Sequence, residues 1–111
     1  MPKENNLPDC PVETALTLMG DKWKILIVRD LLTGKKRFGE LKKSLTGISQ
    51  KVLTQHLRIM EQKGLVNREV YAEVPPRVEY SLTPLGLSLK PIHDAMWNWG
   101  EEYQQAVKQE N

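Results

Sequence analysis

Gln50, Lys51, Thr54, Gln55 and Arg58 fall within nine consecutive residues of the chain. These side-chain types can read the edges of base pairs. Glutamine can hydrogen-bond adenine through two atoms, and arginine can do the same with guanine. The threonine methyl can pack on a thymine methyl, while lysine suits a phosphate. The same list would also serve an ordinary amphipathic helix with a wet face. What decides between the two is how the surrounding residues position these five.

Leu53, Leu57 and Met60 recur at i, i+4 and i+7 through the same stretch, so one stripe of a helix turns inward there, with Val52 and Ile59 able to widen it. Ser49 is a good N-cap and Gly64 a good C-terminal stop, so the helix is expected over residues 50–63. The polar set then faces outward near the helix N-terminus, where an α-helix laid in a major groove meets base edges.

Charge is distributed unevenly around this segment. The whole chain of 111 residues carries a formal net charge of only +2. Residues 35–77 hold ten Lys/Arg against four Asp/Glu, net +6, whereas residues 1–34 come to −1 and residues 78–111 to −3. One basic segment between acidic flanks is the pattern of a single surface facing a polyanion, although a solvated charged surface gives the same numbers. Lys36 and Arg37 precede this segment's first short helix, and Lys42 and Lys43 lie on that helix. Arg77 follows Pro75-Pro76, where it can enter a narrow minor groove or simply solubilise a loop.

Other reactive side chains are few. Cys10 is the one cysteine, so an intrachain disulfide is excluded. It stands at the start of a helix, where free N–H groups favour a thiolate, while Asp9 and Glu13 oppose that. Either a redox- or electrophile-responsive thiol or an inert one fits. With no second cysteine, modification means a Cys10–Cys10 crosslink in a dimer, a mixed disulfide with a small thiol, or an adduct with an electrophile. His56 and His93 have neither metal-ligand spacing nor an orienting partner. No metal, cofactor or catalytic activity is expected, and no Gly-rich phosphate loop is present. The start of the chain lacks an apolar signal core and no stretch could span a membrane, which fits a soluble cytoplasmic protein.

The remaining elements follow from caps and periodicity. Residues 1–9 read as a flexible arm, and residues 10–111 as one domain. Pro11 opens a first helix carrying Val12, Ala15, Leu16 and Met19 on one face, and Gly20 closes it. Asp21 caps a second helix to about Leu32, apolar around most of its circumference and therefore central. Arg37-Phe38 is either a short strand or an extended entry to a helix marked by Phe38, Leu41 and Leu45. Val66–Tyr71 and Arg77–Leu82 alternate as strands, and Pro75-Pro76 must lie in the loop between them. Thr83-Pro84 starts a last helix, about residues 84–108, which Pro91 must kink or split. On it Ile92, Met96, Trp99 and Tyr103 share one face, and Trp97 lies on another. That aromatic face exceeds what a small core needs, so a dimer interface is expected, with a contribution from the first helix; packing within the monomer is the alternative. The fold class is mainly α with a small β-hairpin wing (α+β), a winged helix-turn-helix.

The stretches CPVETALTLMGDKWKILIVRDLLTGKKRFGELKKSLTGISQKVLTQHLRIMEQKGLV and VYAEVPPRVEYSLTPLG resemble the HxlR family of bacterial regulators, relatives of the MarR group. The resemblance spans Cys10 to Gly100. It implies a winged-helix homodimer with its reading helix at residues 49–63 and its wing at Pro75-Pro76-Arg77. It also implies a sensor role for Cys10, matching an N-terminal cysteine of thiol-responsive members. The expected function is a transcriptional regulator binding double-stranded DNA at a palindromic site as a homodimer. A winged-helix protein-interaction module without DNA readout is the alternative, and a thiol enzyme a more distant one.

Overall fold

The computed structural model describes residues 6–110, with the side chain of residue 110 left aside; residues 1–5 of the expected arm lie outside the described residues. Cys10 precedes helix α1 (Pro11–Met19), with Pro11 at its start and Gly20 as its C-cap. Asp21 caps α2 (Lys22–Leu31) by accepting the backbone N–H groups of Trp23 and Lys24 at 2.8 and 3.0 Å. Strand β1 (Lys36–Arg37) leads into α3 (Phe38–Ser44), whose first turn is closed by Glu40 accepting the Arg37 backbone N–H at 2.8 Å. Gly47, at φ 91°, makes the turn that lets α4 (Gln50–Gln62) set off in a new direction. Ser49 Oγ accepts the Val52 N–H at 3.1 Å, and Gly64, at φ 79°, ends the helix.

Strands β2 (Val66–Tyr71) and β3 (Arg77–Leu82) form the hairpin, in register from Val66 opposite Leu82 to Tyr71 opposite Arg77. Pro75 and Pro76 lie in its loop, clear of the ladder. Of the two readings left open for Arg37-Phe38, the structure shows the short strand, shifted by one residue. β1 pairs antiparallel with β3, Lys36 opposite Tyr80 and Arg37 opposite Glu79, giving a three-stranded sheet in the order β1-β3-β2. Two residues carry no measurable alternation, so only the pairing of the free edge of β3 reveals them as a strand.

The core lies between α2, α3, α4 and the sheet. Ile27, Val28, Leu41, Leu45, Leu53, Leu57 and Met60 are almost wholly inaccessible, and Tyr80 and Leu82 close the core from β3. The inward stripe expected on α4 is therefore its buried stripe. Val52 widens it, but Ile59 does not: it is 37% exposed, because it faces the open side toward α1.

Thr83 joins the core to the last helices. Its hydroxyl donates to Gly64 O at 2.6 Å and accepts the Gly86 N–H at 3.0 Å, so one side chain ties the end of α4 to the start of α5 (Pro84–Leu87). Of the kink and the split expected of the helix over residues 84–108, the structure shows the split, since α6 (Lys90–Glu110) begins only after Ser88 and Leu89. Pro91 has no N–H to give to the turn before it, and its ring would clash there, so the chain breaks just upstream. No residue of α1 is buried, and Val12 and Leu16 are exposed. Just before α1, Thr14 Oγ1 donates to Pro8 O at 3.2 Å, and Leu7 lines a shallow apolar pocket with Leu18, Leu65, Leu85 and Leu89.

Candidate nucleic-acid interface

With Leu53, Leu57 and Met60 held in the core, Gln50, Lys51, Gln55 and Arg58 stand exposed on α4 and Thr54 half-buried beside them. Ser49 is exposed at the same end, its oxygen engaged as the cap. Lys42 and Lys43 are exposed on the last turn of α3, just before the turn into α4. The structure thus gathers six of the expected site residues, Ser49 to Arg58, onto one surface.

His56 lies on the opposite side of α4, facing the start of α2. Its side chain is 16% exposed, and Nε2 is 3.9 Å from Asp21 Oδ1. Nδ1 is buried with no hydrogen-bond partner among the described residues. Burial lowers the His56 pKa below its ordinary value; the charge of Lys24 adds to this and the charge of Asp21 opposes it. Asp21 is the converse. Burial alone would raise its carboxyl, but hydrogen bonds from Lys24 and Trp23 and the Lys24 charge outweigh that and hold it low. This pair lies between α4 and α2, behind the outer surface.

Lys36, Arg37 and Arg77 are placed apart from the Ser49–Arg58 surface, on the outer strand β1 and on β3. Lys36 Nζ donates to Thr33 Oγ1 at 2.9 Å, and Arg37 is exposed in register with Glu79. Arg77 is held by its neighbours. Its Nη1 lies 3.1 Å from Glu73 Oε2, its Nε 3.4 Å from Glu79 Oε2, and its guanidinium carbon 4.2 Å from the centre of the Tyr71 ring. Tyr71 in turn donates to Glu69 Oε2 at 3.2 Å, and Glu69 pairs with Lys35 at 3.4 Å. The hydrogen bond and charge of Glu69 raise the Lys35 pKa.

Sequence reasoning passed over Arg68. It stands on β2 opposite Tyr80 and, with Thr54, Arg58 and Glu61 of α4, lines a cleft of about 400 Å³ between the helix and the sheet. The signal was in the alternation: Val66, Arg68 and Val70 share the face of β2 whose first residue is in the core.

Cys10 is exposed at the N-cap of α1. Ile92, Met96, Trp99 and Tyr103 are all exposed on α6, with Trp99 and Tyr103 stacked at 5.4 Å between ring centres. Trp97 is exposed as well, 6.2 Å from the His93 ring. Packing within the monomer therefore does not account for the aromatic row. Among the described residues no cluster of three or more His, Cys, Asp or Glu side chains is placed to hold a metal ion, and no helix is long and apolar enough to cross a membrane.

Two helices, α3 and α4, joined by a tight turn and followed by the β2–β3 hairpin of a three-stranded sheet, define a winged helix-turn-helix. The profile of the HxlR-like helix-turn-helix family matches residues 18–108, and the chain belongs to that family. It is 48% identical over 98 residues to the HTH-type transcriptional regulator YdeP of Bacillus subtilis (strain 168), covering 88% of this chain and 77% of that protein. Among solved structures, the redox regulator HypR in its reduced form matches with a TM-score of 0.84 and 44% identity, covering 90% of this chain and 99% of that one. The reduced form of the transcriptional regulator YodB from B. subtilis matches with a TM-score of 0.74 and 37% identity, covering 86% and 95%. The chain is accordingly a transcriptional regulator of helix-turn-helix type, a class distinct from enzymes.

Proposed function

We propose that this regulator binds duplex DNA sequence-specifically as a homodimer, in the cytoplasm, with α4 in the major groove. The observation that carries the reading is the exposed set Gln50, Lys51, Thr54, Gln55 and Arg58 near the start of a helix anchored from behind by Leu53, Leu57 and Met60. Ser49 sets the helix end close to the backbone, Lys42 and Lys43 supply positive charge on its approach side, and Lys36 and Arg37 add charge from β1, apart from that surface. Arg77 contributes from the wing by holding its tip. The exposed row Ile92, Met96, Trp99 and Tyr103 supplies the dimer contact. A two-fold dimer presents two reading helices and selects a palindromic site.

The test is selection from a randomised duplex library, followed by a salt titration on the enriched sequence. A palindrome should be enriched, and log K should fall linearly with log salt as neutralised phosphates release counterions. If no sequence is enriched and no salt-sensitive complex forms, the reading is wrong and the winged helix is a protein-interaction module.

The same proposal includes regulation at Cys10 by an oxidant or electrophile. The thiol is exposed, and it lies at the head of α1 beside the apolar residues Val12 and Leu16 that are left open. Two structural relatives are consistent with this: HypR is named a redox regulator, and YodB has been solved after diamide treatment. Diamide or quinone should change DNA affinity in the wild type and not in Cys10→Ser. An equal response in both proteins, or none in either, discards the sensor role alone.

A further inference from the structure

The wing has two unlike faces. Pairing across β2 and β3 puts Glu69, Tyr71, Arg77 and Glu79 on one face, and Arg68, Val70, Val78 and Tyr80 on the other. On the first, every cation already has a carboxylate: Lys35 pairs with Glu69, and Arg77 with both Glu73 and Glu79. On the second, Arg68 lines the same cleft as Arg58, and among the described residues neither has an ion-pair partner.

We propose that the cleft between Arg58 and Arg68 is a phosphodiester-binding site, in which Arg68 gives the wing its contact with the DNA backbone while Arg77 acts as a strut that shapes the wing. This rests on the DNA-binding reading above. To meet a phosphate, Arg77 would have to leave two carboxylates and the face of Tyr71. The phosphate would also have to approach Glu69, Glu73 and Glu79, three like charges that repel it. Arg68 gives up no such partners. Its planar guanidinium offers paired N–H donors, the geometry that grips a phosphate. Thr54 adds a hydroxyl, and the cleft, about 400 Å³, has room for a phosphate with its bound water. Its position also fits: it lies beside the exposed row of α4, so a backbone following that helix passes it. Glu61 is the one carboxylate in the lining, set against two guanidinium groups.

The experiment uses the whole protein, a labelled duplex of the enriched sequence and a scrambled duplex, with affinity measured over a series of salt concentrations. Circular dichroism and thermal melts confirm that each variant is folded. Arg68→Ala should make the slope of log K against log salt shallower by about 0.9 on both duplexes, the loss of one phosphate. Arg68→Lys should retain the slope. Glu61→Gln should tighten both complexes about two- to five-fold at low salt. Arg77→Ala should leave the slope at its wild-type value, and Arg77→Gln, which also removes the charge, supplies the same reading if the alanine variant does not fold. An unchanged slope in Arg68→Ala, or a slope reduced by one unit in an Arg77 variant, overturns the assignment. Wild-type protein with no salt-sensitive binding to either duplex refutes the DNA-binding reading itself, so the two failures are distinguishable.

Discussion

Gln55 and Arg58 differ from Lys51 in what they can offer DNA, although all three are exposed on the same helix. Glutamine and arginine can each present two hydrogen-bonding atoms to one base, whereas lysine presents a point charge. Gln55→Ala should therefore cost about 1–3 kcal/mol on the preferred site and relax base preference at one position, and Arg58→Ala should add to such a loss a shallower salt slope, since Arg58 also borders the phosphodiester cleft. Lys51→Ala should weaken binding evenly across sequences. Parallel binding curves on single-base variants of the site separate the two effects; uniform losses from all three substitutions would mean that α4 is not the reading helix. His56 belongs to the same helix but acts on stability. Its folded pKa lies below the ordinary 6.5, so the unfolded chain takes up a proton more readily than the folded one. Stability from this group is complete above that value and is lost as pH falls toward the lowered one. Melting temperature should drop between about pH 7.5 and pH 5, and the drop should be smaller in His56→Gln. Asp21 acts in the same direction in a more acidic window, below its ordinary 3.8, because its folded pKa is also depressed.

At the scale of elements, the sequence was most legible where a cap and a stripe agree. Asp21, Ser49 and Thr83 each accept a backbone N–H just inside a helix, and the α4 stripe is spaced for burial. The bounds of β2 and β3 could be read because alternation persists for six residues and the two prolines interrupt it. For β1 the sequence left a short strand and an extended entry open at Arg37-Phe38, because two residues have no periodicity; the strand, at Lys36–Arg37, exists only through its pairing with β3. Arg68 was missed for a related reason: its importance depends on α4 lying across from β2, a contact between segments that no local pattern records. The ion-pair network around Arg77 likewise depends on register, which puts Glu79 beside it and Tyr71 opposite. The junction between β3 and α5 offers a direct stability test. A Cβ on Gly86 would sit 2.1 Å from the carbonyl oxygen of Leu65, a backbone atom that cannot swing aside. Alanine normally favours a helix over glycine by about 1 kcal/mol. Here Gly86→Ala should instead destabilise the fold by about 1–3 kcal/mol, the usual penalty for forcing atoms into a filled space. Urea unfolding of both proteins checks the sign; a more stable alanine variant would mean that the junction opens readily.

At the scale of the whole molecule, the shape itself is unbalanced. The radius of gyration is 15.9 Å, against about 13 Å for a compact chain of this length. The excess comes from α6, whose 21 residues run about 31 Å while most of its apolar side chains stay in solvent. Trp99 is 65% exposed, and Ile92, Met96, Trp97, Tyr103 and Val107 are exposed with it; Val12 and Leu16 of α1 add to the open apolar surface. A lone subunit would leave all of this in water, at about 25 cal/mol for each Å² that a partner could cover. In the proposed dimer a second copy would cover it by symmetry, with α6 and α1 of each subunit meeting their equivalents, and would leave both α4 helices free to face one side of a duplex. Half-sites would then be read one helical turn apart, about 34–36 Å. Sedimentation equilibrium at micromolar concentration should return the mass of a dimer. Trp99→Ala or Tyr103→Ala should raise its dissociation constant about 30-fold or more, the effect of removing a central aromatic anchor worth about 2 kcal/mol. The same variants should bind a single half-site as well as the wild type does, yet lose the gain that the full palindrome gives. A wild type that sediments as a monomer at that concentration would remove the dimer and, with it, the reason to expect a palindrome.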